Sequence, residues 1–267
     1  MPLLTLILVA LIQGVTEFLP VSSSGHLILL PSLTGLDDQG QVIDVAAHVG
    51  TLVAVIIYFW SDVKLALFGT LRLLRGKIDT KGAFLAFCLL IGTIPVIAVG
   101  LILKVTGLAD AMRGITVIGW SMLIFGIVLY WADQKGRETR EAEDWILQHA
   151  FIMGLWQCIA LIPGTSRSGI TITAARKLGY DRASAATLSM LMSIPTILAS
   201  GALLSLDVIG QADAQLARDA SIAAGFAFVA ALAALVLMMR LLRSVNFTPY
   251  VIYRILLGAA LLVYAYS

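Results

Sequence analysis

Apolar residues in this chain come in long uninterrupted blocks separated by short polar segments, with little of the alternation that marks half-buried strands. A helix needs about 20 apolar residues to cross the hydrocarbon core of a bilayer. Six blocks reach that length, at about 42–60, 82–103, 113–132, 181–206, 219–242 and 248–266. Two further apolar regions do not. The first, about 2–19, carries Gln13 and Glu17 and runs into Pro20-Val-Ser-Ser-Ser-Gly-His26, after which only Leu27 to Leu30 stay apolar before Pro31. The second, about 148–162, runs into Pro163-Gly-Thr-Ser-Arg-Ser-Gly169 and a short helix-compatible piece ending near Gly179. Both read as re-entrant hairpins. Irregular backbone at membrane depth is tolerated only where protein or a wet cavity surrounds it, so a polar pocket is expected at their tips.

Sliding the chain on itself by 144 positions pairs Gln13 with Gln157, Ser22 with Ser166, Ser24 with Ser168 and Gly25 with Gly169. The expected architecture is therefore an all-α polytopic membrane protein: one membrane domain over 1–267, built from repeat one (about 1–132) and repeat two (about 145–267). Each repeat holds one hairpin and three spans. Three is odd, so the second copy enters from the opposite face and the two tips can meet near the midplane, as in inverted-repeat transporters.

Composition strengthens the membrane reading: 60% of residues are hydrophobic and 13% charged, with mean hydropathy +0.96, against about 25% charged in soluble domains. A net charge of +2 gives no footprint for nucleic acid. The N-terminal apolar stretch has no basic segment before it and is broken by Gln13 and Glu17, so it does not read as a signal peptide. Cys88 and Cys158 lie in apolar stretches and are expected as free thiols. If hairpin one opens to one side, the opposite side receives 13 of the 18 Lys and Arg residues, from Lys64 to Arg243, against Lys104, Arg113 and Arg218 on its own side. The positive-inside rule then makes the basic side cytoplasmic and the mouth of hairpin one outward-facing. Arg167 and Arg254 fall at membrane depth, and Arg254 is expected to snorkel to the cytoplasmic interface.

Gln13 and Glu17 are one helical turn apart and share a helix face. A carboxylate at membrane depth marks a functional site by default. Ser22, Ser23, Ser24 and Gly25 open the second half-helix, so backbone N–H groups and the positive end of its dipole make an anion site, and His26 follows at once. In the second turn Arg167 takes the place of Ser23, flanked by Thr165, Ser166 and Ser168; its guanidinium can grip phosphate oxygens bidentately. Leu161 and Ile170 stand where Glu17 and His26 stand in the first copy. The acid–base groups thus come from one repeat and the fixed positive charge from the other. Asp44 and His48, one turn apart, are expected either to back up this site or to form a structural pair. Met190, Met192 and the residues around Pro195 are expected to pack in the core or to line a groove for a lipid tail.

Leu11-Ile-Gln-Gly-Val-Thr-Glu-Phe-Leu-Pro-Val-Ser-Ser-Ser-Gly-His26 and Pro163-Gly-Thr-Ser-Arg-Ser-Gly169 resemble the two signature motifs of the bacterial undecaprenyl-diphosphatase (bacitracin-resistance) family. Asp44-Val-Ala-Ala-His-Val-Gly-Thr51, Ser193-Ile-Pro195 and Tyr253-Arg254 also resemble family segments, so the likeness covers essentially the whole chain. The family's first motif begins with Glu or Gln; here Gln13 leaves Glu17 as the only carboxylate of that pair. The resemblance implies hydrolysis of undecaprenyl diphosphate to undecaprenyl phosphate and inorganic phosphate. That reaction recycles the lipid carrier of cell-wall peptidoglycan synthesis at the outer face of the bacterial inner membrane. It also implies a divalent cation, Mg²⁺ or Ca²⁺, for which Glu17 and Gln13 are the candidate ligands. The expected partners are the polyprenyl diphosphate substrate and membrane lipids, with a homodimer one of the assemblies left open. Glu17, Ser23, His26 and Arg167 are the catalytic candidates. The nucleophile is Ser23, activated by Glu17 or His26, or a water activated by the same base; His26 could also be the leaving-group acid or the nucleophile itself. The rival function is a transporter or flippase for the lipid carrier, which would use Arg167 and the helix N-termini but not the neighbouring Glu17, Ser23 and His26.

Overall fold

The computed structural model describes residues 2–35, 40–208 and 214–267, and among these it is helical throughout with no strand. The elements are α1 (Leu3–Phe18), α2 (Ser23–Thr34), α3 (Gln41–Tyr58), α4 (Trp60–Leu73), α5 (Lys81–Thr106), the single turn α6 (Leu108–Ala111) and α7 (Ile115–Lys135). They continue with α8 (Leu147–Cys158), α9 (Arg167–Lys177), α10 (Arg182–Val208), α11 (Ala214–Leu241) and α12 (Thr248–Tyr266). Six of them, α3, α5, α7, α10, α11 and α12, are long and apolar enough to cross a membrane, and they coincide with the six blocks read from the sequence. The apolar exterior is extensive: Ile102, Val229, Leu237 and Leu256 all face outward, a surface suited to lipid and unsuited to water. The chain is a multi-pass membrane protein.

Lipid supplies no hydrophobic drive between helices, so close packing of small residues holds such bundles together. The glycines show where backbones touch. A Cβ at Gly50 of α3 would lie 2.2 Å from the Ala224 carbonyl oxygen of α11, and one at Gly14 of α1 would lie 2.6 Å from that of Ala227. Gly154 of α8 meets Gly92 of α5, with 2.4 Å between such a Cβ and the Gly92 oxygen, and Gly258 of α12 meets Gly119 of α7 at 2.8 Å. Thus α11 carries α1 and α3, α5 carries α8, and α7 pairs with α12. The two short helix pairs, α1–α2 and α8–α9, are held inside this frame.

Two sequence readings change and one open choice is decided. The basic stretch after the first span is not plain loop: Trp60–Leu73 is helical and packs on α5, with Gly69 against Gly82. Its outward Leu67, Phe68 and Leu71 make it an interfacial helix too short to span; its mixture of lysine, arginine and leucine hid a helical periodicity among charges. In its last turn Arg72 binds Asp79 through two N–H groups; these bonds hold the Asp79 carboxyl below its ordinary range. Met190 and Met192 are fully buried in the main core, which decides for packing, while Pro195 lines a surface groove. Arg254 does not snorkel; it is fully buried, for the reason given below. Cys88 and Cys158 are free thiols.

At the end of the bundle that carries Lys135 and Arg140, buried Asp133 of α7 binds Arg176 of α9 at 3.2 Å and Arg182 of α10 at 2.8 Å. Asp133 also accepts from the Phe247 N–H ahead of α12. Burying these charges is tolerable only because each finds partners. One carboxylate ties three helices and fixes where α9 ends.

Candidate active site

The site begins in two turns with one local geometry. Ser22 (φ 77°) and Ser166 (φ 71°) are the only non-glycine residues with positive φ among those described, a conformation that costs about 1–3 kcal/mol and persists where surroundings enforce it. Each side chain then caps the helix it precedes. Ser22 Oγ accepts from Gly25 N at 3.3 Å and lies 3.4 Å from Ser24 Oγ; Ser166 Oγ accepts from Gly169 N at 3.1 Å and lies 3.1 Å from Ser168 Oγ. Such caps satisfy N–H groups that a helix start leaves free. The two turns touch: a Cβ on Gly25 would be 3.4 Å from Gly164 Cα, and Ser168 Oγ donates to the Leu19 carbonyl at 2.9 Å. Gly164 (φ +90°) has no room for a side chain, because Ser121 Oγ, which donates to the Pro163 carbonyl, would sit 2.2 Å from it.

Where the turns meet, Arg167 Nη2 binds Glu17 Oε1 at 2.8 Å. Glu17 Oε2 accepts from Ser23 Oγ and from Gln13 Nε2, both at 2.8 Å. A single buried carboxylate thereby joins the serine of the first turn to the arginine of the second. Arg167 Nη1 also reaches the Ser189 carbonyl of α10 at 3.4 Å.

His26 points elsewhere. Its Nδ1–H donates to the Ser22 carbonyl at 2.6 Å, which can only accept, so Nε2 is the acceptor for the Tyr253 hydroxyl, also at 2.6 Å. The two rings are stacked at 5.7 Å. Of the two bases considered for Ser23, the structure sets Glu17 against it and not His26. Asp44 and His48 do not pair through their side chains: His48 Nδ1 bonds the Asp44 carbonyl at 2.7 Å. Both nevertheless line a cavity of about 260 Å³ with Ser24, Arg113 and Pro163, beside the first turn. Thr165 is fully buried with its hydroxyl unpartnered.

Arg254 explains how the turns are held. Its guanidinium donates to the Pro20 carbonyl of the first turn at 3.3 Å, to the Gly164 and Thr165 carbonyls of the second at 3.2 and 2.7 Å, and to Met122 of α7 at 3.3 Å. Irregular backbone leaves carbonyls without helix partners, and one buried arginine satisfies three of them while its fourth bond, to Met122, ties it to α7. Sequence reasoning missed this role, and those of Tyr253, Ser189 and Arg113. The Tyr-Arg pair was visible as a motif, but a lone basic residue near a span end looks the same whether it turns out to the interface or in to a loop.

Among the described residues no three His, Cys, Asp or Glu side chains cluster as a metal site. The donor set does fit a cation held mainly by substrate. Glu17 is one carboxylate, and Gln13 Oε1 beside it is a buried carbonyl oxygen with no partner, which suits a hard ion completed by phosphate oxygens and water.

The model of the bacitracin resistance protein BacA family matches residues 6–260. The chain belongs to that family. Its relatives include proteins named undecaprenyl-diphosphatase from Dinoroseobacter shibae, 70% identical, and from Roseobacter denitrificans, 69% identical, each over the full length of both chains. A more distant one of the same name, from Maricaulis maris, is 46% identical over 99% of each chain. The match covers both turns and reaches into the last span, so the site described belongs to the matched region.

Proposed function

We propose that this chain hydrolyses undecaprenyl diphosphate to undecaprenyl phosphate and inorganic phosphate, returning the lipid carrier to cell-wall synthesis. Full-length relatives carrying the name undecaprenyl-diphosphatase support the reaction. The observation that carries the mechanism is the shared carboxylate, with Ser23 Oγ and Arg167 Nη2 each 2.8 Å from Glu17.

Phosphoryl transfer needs positioning and positive charge around the transferring oxygens. The free N–H groups of Arg167 and the N-termini of α2 and α9, formed by Ser22 to Gly25 and Thr165 to Gly169, supply both. Ser23 Oγ attacks the terminal phosphorus while Glu17 takes its proton. The bond from phosphorus to the bridging oxygen breaks, and the lipid monophosphate leaves with that oxygen. Water then opens the phosphoserine, a proton returns to Ser23, and phosphate departs. His26, held by Ser22 and Tyr253, is the candidate proton donor to the leaving group once its ring is protonated at Nε2, the nitrogen that accepts from Tyr253 in the neutral ring. A divalent cation bound by Glu17 and Gln13 Oε1 would neutralise charge on the diphosphate.

The fold is read as an inverted repeat with two re-entrant hairpins forming a single membrane domain. Supporting this, the paired serines share one strained geometry, α1 packs on a span of the second half, and α8 packs on a span of the first. The distribution of Lys and Arg supports an orientation with the Asp44–His48 cavity toward the outer face of the bacterial plasma membrane. A transporter would bind the same phosphate but leave Ser23 on Glu17 without a task. Phosphate release by the purified protein in detergent, where no second compartment exists, separates the two. Turnover of undecaprenyl diphosphate is expected; binding without release would favour the carrier.

A further inference from the structure

At the opposite end of the bundle from the Asp44–His48 cavity lies a second cavity, of about 200 Å³, that hydrolysis does not use. It is walled by α4, α5, α10 and the segment before α8. Its polar groups fall into two sets. Asp62 and Glu143 are carboxylates whose side chains take part in no ion pair among the described residues; burial and then the charge of Glu143 raise the Asp62 carboxyl above its ordinary value. Lys81 stands at the start of α5, where the helix dipole adds positive potential. Trp145 completes that set: it is 4% exposed, and its indole Nε1–H is buried without a partner. Leaving such a donor unsatisfied costs about as much as a lost hydrogen bond, a cost that an acceptor brought by a ligand would relieve.

The same three helices continue into an apolar groove of about 610 Å³, which shares Leu191 with the cavity and runs on past Ile194, Pro195 and Leu198. We propose that cavity and groove together bind one membrane phospholipid whose headgroup carries a primary ammonium beside its phosphate. The ammonium meets Asp62 and Glu143, the phosphate meets Lys81 and the Trp145 N–H, and an acyl chain lies in the groove. A purely anionic headgroup would face two carboxylates, and a quaternary ammonium has no N–H to donate to them. Binding here is independent of the hydrolysis reading, since none of these residues lies at the Glu17–Arg167 centre.

Native mass spectrometry of the full-length protein in detergent, given equal amounts of phosphatidylethanolamine, phosphatidylcholine and phosphatidylglycerol, tests the proposal. The ethanolamine lipid should be retained about tenfold more than either other, the ratio expected of charge-assisted hydrogen bonds. Soluble glycerophosphoethanolamine should not displace it, because it lacks the chain. A Glu143→Gln, Asp62→Asn double variant should erase the preference, and Trp145→Phe should reduce it, with phosphate release from the lipid diphosphate serving as the check that each variant is folded. Equal retention of the three lipids by the unaltered protein, a preference for the anionic lipid, or an unchanged preference in a folded double variant would each overturn it; the first two need no variant at all.

Discussion

Arg167 and Glu17 divide the chemistry between them, and each has a substitution that isolates its part. Lysine at 167 keeps the charge but not the planar fork that can hold Glu17 and phosphate oxygens together. Arg167→Lys should therefore lower kcat by about 10²–10³, the range for losing a fixed transition-state donor, with the thermal midpoint unchanged. Glu17→Gln keeps the shape and removes the base. It should lower kcat by about 10²–10⁴ while KM changes little; a raised KM at normal kcat would mean that Glu17 only binds. Tyr253→Phe removes one 2.6 Å hydrogen bond to His26. A neutral bond of that kind contributes about 1 kcal/mol, so turnover should fall only severalfold and its pH profile should shift, which a merely structural contact would not cause.

Helix crossings give the next scale. At Gly50 a methyl group would enter the Ala224 backbone, whereas at Gly225 it would meet nothing within 4 Å. Gly50→Ala should destabilise the bundle by about 1–3 kcal/mol through overpacking, and Gly225→Ala should be neutral or slightly stabilising because glycine is a poor helix former; thermal unfolding in detergent checks the contrast. The spans were legible because length and apolarity alone define them, and Glu17 and Arg167 were legible because charge is costly at membrane depth. What the sequence could not carry is direction. His26 lies in the same motif as Ser23, yet its ring turns to Tyr253, a partner 227 positions away. Arg254 sits near a span end and turns inward because unpaired carbonyls of two turns await it. Long-range partners of this kind follow from packing, which periodicity does not encode. The interfacial helix α4 was hidden because it is short and its charges interrupt its apolar positions.

In the whole molecule, the two turns must reach one site from opposite faces for Glu17 and Arg167 to share it. In a background lacking Cys88 and Cys158, a cysteine at Gly35, after α2, should react with an impermeant thiol reagent outside intact cells. One at Arg137, after α7 and ahead of the second turn, should react only once the membrane is opened. Labelling of both from one side would remove the inverted arrangement and the outward mouth with it. Whether both turns form one catalytic unit is decided by a double-mutant cycle on phosphate release from undecaprenyl diphosphate in detergent, using Glu17→Gln and Arg167→Lys singly and together. Groups acting as a unit are strongly non-additive, so the double variant should be about as slow as the slower single one. Losses that multiply would show that Glu17 and Arg167 act independently, and would contradict the shared site.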